Sequence, residues 1–296
     1  MEWFGSDRGS MIGRIMSAEL THAFSKDSGA AANRGRARRA VVVCQRGAAQ
    51  HGEDWLVEEA PVELRYNSET FAVMMATPSD LEDFACGFAL SEGHVARVGD
   101  IRAVTVSELL EGYAIDIDAE LAHAVGDARN LTGRSGCGLC GSRQLEDVLR
   151  PPPRVPDGPV LDPNALDRAL AALTQRQPLN AGTGAAHAAA WASPAGDITH
   201  VREDVGRHNA LDKLLGALSR DGVDLRRGFV LATSRASYEM VVKTARLHIG
   251  LLAAISAPTA LGVELARASN LTLAGFVRPG RHVVYSHPQR LPGASA

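Results

Sequence analysis

The stretch SGCGLCGS at 135–142 sets Cys137 and Cys140 three positions apart in a chain of 296 residues that holds only four cysteines. A thiolate is both nucleophile and metal ligand, and CxxC geometry at a helix start favours it through the helix dipole and backbone N–H groups. Gly136, Gly138 and Gly141 remove Cβ bulk, so that another molecule can come close to either sulfur. Such a pair can be half a zinc site, a redox dithiol, a working nucleophile with a neighbour, or a disulfide staple. A closed zinc site needs four Cys or His ligands, and there is no second CxxC and no HxxxH. The zinc deaminase pattern would put proline before Cys137 and glutamate near His187, where glycine and alanine stand. No metal is assigned. A dithiol–disulfide oxidoreductase stays open, since CxxC alone permits it.

A second concentration of polar residues is VREDVGRHNALDK (201–213), with Arg202, Glu203, Asp204, Arg207, His208, Asn209, Asp212 and Lys213 around a helix start. One reading is a solvated helix N-terminus capped by Asp204. The other, given the glycine turn GTGAA (182–186) nearby, is a site that holds a phosphate-bearing ligand by backbone N–H groups and cationic side chains. TSRASYEMVVK (233–243), with Arg235, opens another helix at a strand end, where open α/β sheets bind ligands. FVRPGRH (276–282) adds Arg278 and Arg281 in a turn. Three anion-suited segments in one half of the chain point to a large polyanionic ligand.

The elements that must position these residues follow from periodicity. Strands are predicted at 55–66 and 69–77, joined at Asn67 and Ser68. Ser79 with Glu82 reads as a capping box for a helix that Gly93 stops, with Cys86 inside it as a small buried hydrophobe. Strands at 101–106 and 112–119 lead toward the CxxC, and QLEDVL after it reads as a short helix. The proline-rich connector 151–159 marks a subdomain boundary, after which Asp162 and Pro163 open a helix lined by Leu166, Ala169, Leu170 and Leu173. HAAAW (187–191) and DITHVRED (197–204) flank a turn; a helix carrying Leu211, Leu214, Leu215 and Leu218 then runs to Gly222. GFVLATS, SYEMVVKTARLH, LLAAIS, TALGVELARAS and LTLAGFV continue strand, helix, strand, helix, strand, which predicts an α/β fold whose central sheet carries helices on its faces. The parts are thus a mobile basic leader over 1–40, a β-rich part over 41–150 ending in the CxxC loop, and an α/β part over 151–296.

Bulk properties narrow the function. The formal charge is −3, with 31 basic and 34 acidic side chains, which argues against a general nucleic-acid binder. The longest apolar candidate, 249–263, carries Ser, Pro and Thr and runs into Glu264, so no membrane span is read. RRAVVVC (38–44) is too short for a signal sequence. With sparse cysteines and no secretory signal, a reducing cytoplasm is expected, and a structural disulfide is disfavoured.

In their order, SGCGLCG, GTGAAHAAA, VREDVGRHNALDK, TSRASYEMVVK, SAPTALGVELA and LTLAGFVRPGRHVVY resemble the formate dehydrogenase accessory proteins, the FdhD sulfur carriers, from about residue 55 to 290. The resemblance implies a cytidine-deaminase-like layered mixed sheet with flanking helices, without deaminase chemistry, in a cytoplasmic homodimer. It implies a sulfurtransferase that takes sulfane sulfur from a cysteine desulfurase and passes it to the bis-molybdopterin guanine dinucleotide cofactor before formate dehydrogenase receives it. On that reading Cys137 bears the persulfide and Cys140 assists or resolves it. Phe276, Val277, Arg278, Pro279, Gly280 and Arg281 match the cofactor-binding segment, and His208, Asn209, Asp212 and Lys213 match the signature. Arg207 and Arg235 belong to the same expected anion site. The chain departs from the family at Ser234, where a glycine usually precedes the arginine. A non-catalytic chaperone that binds the molybdenum cofactor and hands it over unchanged is the alternative.

Overall fold

The computed structural model describes residues 35–122 and 152–293. Cys137, Cys140, the helix expected at QLEDVL, the leader up to residue 34 and the boundary near residue 150 lie outside the described residues.

The first elements are β1 (Arg36–Gln45) and β2 (Ala48–Val57), which pair antiparallel as a separate two-stranded ribbon. This corrects the reading of residues 36–40 as leader and of 55–66 as one strand. The β-branched run Val41–Val43 favours a strand, and Arg46 and Gly47 both take positive φ, the geometry of a two-residue hairpin loop. RARR is thereby drawn into register with the residues before Glu58.

Next, β3 (Ala60–Tyr66) and β4 (Glu69–Ala76) form the expected hairpin, with Asn67 and Ser68 at φ 50° and 71°. Together with β5 (Ile101–Glu108) and β6 (Tyr113–Ala119) they make a four-stranded sheet in the order β4-β3-β6-β5. Alternate residues Val62, Leu64 and Tyr66 point to one face, where α1 (Leu81–Glu92) lays Phe84, Ala85, Phe88 and Ala89 on them. The capping box does not form: Asp80 is the N-cap, in the left-handed region and without a side-chain cap bond. The turn before it is set by a tertiary contact, since Thr77 N–H donates to the Asp204 carboxylate at 3.0 Å. Cys86 is buried as expected, and burial pushes its thiol up to about 11.

The second half contains α2 (Ala165–Thr174), α3 (Pro178–Thr183), β7 (His187–Ala192), β8 (Ile198–Asp204), α4 (Arg207–Arg220), β9 (Phe229–Ala232), α5 (Tyr238–Arg246), β10 (Leu251–Ala254), α6 (Ala260–Ala268), β11 (Thr272–Arg278) and β12 (Arg281–Ser286). They build a six-stranded sheet in the order β12-β11-β10-β9-β7-β8. Strands β9, β10 and β11 are parallel, while β7, β8 and β12 join antiparallel. Leu211, Leu214, Leu215 and Leu218 of α4, with Met240, Val241 and Leu265 from α5 and α6, cover one face. Leu166, Ala169 and Leu173 of α2 cover the other. The layered mixed α/β architecture expected from the alternation is therefore present. Asp162 does not cap α2: its N–H is engaged by Pro194 O, and the helix begins after Asn164.

The halves meet where α1 crosses α4. A Cβ on Gly87 would lie 1.7 Å from Asp212 O, and one on Gly216 would lie 1.9 Å from Asp83 O, so only glycine permits this approach. Lys243 of α5 bridges the junction, bonded to Asp212, Ser91 and Glu92 at 2.6–3.0 Å. Burial alone would lower its pKa, but the two carboxylates outweigh that and hold the ammonium charged.

Candidate functional site

The carboxyl ends of β9, β10 and β11 share one edge of the large sheet with His187, the first residue of β7, and Asp204, the last of β8. Helices α4, α5 and α6 all start there, so three positive dipole ends collect along it. The loops interlock. Ala236 bridges Pro258, Thr259 N–H donates to Ala236 O, Thr259 Oγ1 caps α6 at Gly262 N–H, and Phe276 N–H donates to Ser256 O. Gly262 is required by this crowding: a Cβ there would stand 2.9 Å from Ala236 O.

Arg207 and His208 open α4 and Arg235 precedes α5, and their charges act together on His187. Burial first, then Arg207, His208 and Arg235, lower the His187 pKa, so its imidazole is neutral at pH 7. Glu239, in the first turn of α5, touches His208 Nε2 and lies 3.9 Å from Arg207 Nη2. Burial raises its pKa, but His208, Arg207 and Lys243 outweigh it and keep the carboxylate ionised, below its ordinary range. Arg207 Nε and Ser237 Oγ, at the starts of α4 and α5, are buried without a hydrogen-bond partner. Two orphaned donors beside helix N-termini and cationic side chains fit the oxygens of a phosphate.

The FVRPGR segment lies at the same edge. Phe276, at φ 51° and 38% exposed, occupies an irregularity in the β11–β12 pairing. Arg278 is exposed and donates to Ile255 O and Val277 O, and Arg281 starts β12. Gly280 N–H donates to both Asp167 oxygens of α2 at 3.1 Å, which fixes the Pro279–Gly280 turn.

Three of the expected ligand residues lie inward from the edge. Val277 is fully buried in the core behind the sheet. Lys213 Nζ is fully buried, 2.7 Å from Asp204 Oδ2 and donating to Thr77 O at 2.9 Å. Asn209 Nδ2 donates to Met75 O and to Asp204 Oδ1. These groups join the two halves of the protein, as does Asp212 through Lys243. Asp204 is no cap either, because Gly206 holds that position and the Asp204 carboxylate faces inward. The signature VREDVGRHNALDK thus divides into Arg207 and His208 at the edge and a buried coupling set. The physical reason is that α4 is packed on both sides, by the sheet and by α1. Glu239 and Ser237 were missed; the only signal was their place in the first turn of a helix that starts at a strand end. Ser234 is accommodated without positive φ, so no glycine is required there.

Fold and edge together define an α/β protein with cationic side chains and helix N-termini gathered at the carboxyl ends of its parallel strands. Residues 57–292 match the model of the FdhD/NarQ family, and the chain belongs to that family. It is 56% identical over 242 residues to the sulfur carrier protein FdhD of Xanthomonas euvesicatoria pv. vesicatoria (strain 85-10), covering 81% of this chain and 86% of that one. It is 51% identical over 255 residues to the sulfur carrier protein FdhD of Cupriavidus necator, covering 85% and 88%. A crystal structure described as a putative formate dehydrogenase accessory protein from Desulfotalea psychrophila superposes with a TM-score of 0.72 at 25% identity, covering 86% of this chain and 99% of that one. Among the described residues no helix is long and apolar enough to cross a membrane.

Proposed function

We propose that this chain is a sulfur carrier that loads its cargo on Cys137 and delivers it to a bis-molybdopterin guanine dinucleotide held by its phosphates at the sheet edge. The Cys137 thiolate attacks the outer sulfur of a cysteine desulfurase persulfide; a new S–S bond forms, and the desulfurase cysteine leaves as thiolate. Cys140 assists this exchange or resolves the product. Arg207, His208, Arg235, Arg278 and Arg281 hold the phosphates, and neutral His187 limits charge repulsion among them before the dinucleotide arrives. Formate dehydrogenase receives the sulfurated cofactor. The reading includes a cytoplasmic homodimer and deaminase-like layering, which the helices on both faces of the large sheet support.

The observation that carries the proposal is the convergence of three helix N-termini, these cationic side chains and two orphaned buried donors on one rim. The relatives' description as sulfur carriers supports the role of the cysteine pair. Cys137→Ala is expected to bind GDP, a probe for the guanine nucleotide end, with unchanged affinity in calorimetry, yet to yield inactive formate dehydrogenase. Full activity with Cys137→Ala would favour the chaperone reading instead.

A further inference from the structure

We propose that the β1–β2 ribbon is a docking arm for an acidic surface on the enzyme that receives the ligand from the adjacent sheet edge. The family model's match begins at residue 57, where the ribbon ends. The ribbon pairs ten residues on each side with no third strand among the described residues, and most of both faces is exposed. Val42, Val43 and Leu56 are 54%, 53% and 45% exposed. A two-stranded ribbon has marginal stability alone, and open strand edges with exposed aliphatic side chains are features that proteins cover.

The charge of the ribbon selects its partner. Arg36, Arg38, Arg39 and Arg46 stand against Glu53 and Asp54, a formal +2 in a chain whose total is −3. The guanidinium groups of Arg36 and Arg38 lie over the Trp55 ring at 4.8 and 6.0 Å, and Arg46 sits at the tip. Tryptophan and arginine dominate interface energetics, and a basic arm is complementary to an acidic protein surface.

Its root ties the ribbon to the ligand edge. Glu58 N–H donates to Gly35 O at 2.8 Å, closing the base. A Cβ on Gly35 would stand 2.7 Å from Thr77 Cγ2, and one on Gly182 would stand 2.8 Å from Arg36 Nη1. Thr77 is bonded to Asp204, the cross-strand partner of His187, and Gly182 lies in α3, just ahead of His187. A protein held by the ribbon therefore sits beside the β8 end of the edge. A second copy of this chain seated there would crowd the rim from which the ligand must leave, whereas a recipient needs that position. This inference rests on the proposed function in taking formate dehydrogenase as the recipient.

The test measures association of the full chain with purified formate dehydrogenase at low and high salt. Two variants are compared: Arg38→Glu/Arg39→Glu/Arg46→Glu, and a chain in which a short Gly-Ser link joins Gly35 to Glu58. GDP affinity and sedimentation are recorded on the same samples. Charge reversal is expected to slow association about tenfold or more at low salt, with the difference shrinking as salt rises. Ribbon deletion is expected to abolish specific association while GDP affinity stays unchanged. Unaltered association in both variants overturns the proposal. So does loss of a dimer in sedimentation with enzyme association intact, which assigns the ribbon to a second copy. Loss of binding to phosphatidylglycerol vesicles with enzyme association intact overturns it in favour of a lipid surface. Absence of GDP binding by the unaltered chain counts against the ligand edge alone, since the association rates are read without GDP.

Discussion

Replacing Lys213 by methionine separates a coupling role from a ligand-binding one. The Lys213 ammonium lies 2.7 Å from Asp204 Oδ2 with neither side chain exposed, and its second bond goes to Thr77 O. Lys213→Met leaves the Asp204 carboxylate with three neutral donors, Thr77 N–H, Gly206 N–H and Asn209 Nδ2, and no counter-charge. Removing one partner of a buried pair costs about 3–5 kcal/mol, because the remaining charge stays desolvated. Urea unfolding should show that loss, and Asp204→Asn/Lys213→Met should lose less than Lys213→Met alone. GDP affinity of the folded variant should be unchanged. A stability change below about 0.5 kcal/mol together with weakened GDP binding would refute the reasoning and return Lys213 to the ligand.

Gly87→Ala forces a Cβ against Asp212 O and should destabilise by about 3 kcal/mol or more, read as a lower melting temperature. Arg207→Ala should weaken GDP binding by about tenfold or more while leaving the melting temperature nearly unchanged, since a charge-assisted hydrogen bond is lost from the rim. Burial first holds His94 at about 4 in the folded protein, below its ordinary 6.5. The unfolded chain therefore takes up a proton between those values, so the contribution of His94 is complete above pH 6.5 and is lost as pH falls toward 4. Unfolding free energy should drop by about 2–3 kcal/mol from this group between about pH 7.5 and about pH 4.5, and His94→Leu should remove that part of the slope.

Much of the edge was legible because its determinants are local. Alternating apolar strands and amphipathic helices identify the α/β layers, and each anion-suited segment stands where a helix follows a strand. The Asn67–Ser68 turn was legible for the same reason, as both residues tolerate the positive φ it needs. What escaped depends on tertiary contacts. Asn209, Asp212 and Lys213 read as polar helix residues, and only the packing of α1 on α4 turns them inward. Ser79 lost its cap because Thr77 is recruited by Asp204, 127 positions away in sequence. The ribbon was obscured because arginines in β1 look like a solvated basic tail until the strand pairing is known. Glu239 carried no periodic signal and takes its meaning from His208 and Arg207 across the gap between α5 and α4.

The most direct test of sulfur carriage is the intact mass of the purified chain after incubation with a cysteine desulfurase and cysteine, with and without reductant, alongside Cys137→Ala and Cys140→Ala. The account expects a gain of one sulfur atom that reductant reverses and that Cys137→Ala abolishes. No gain in any sample, with the desulfurase shown to be active, would contradict it.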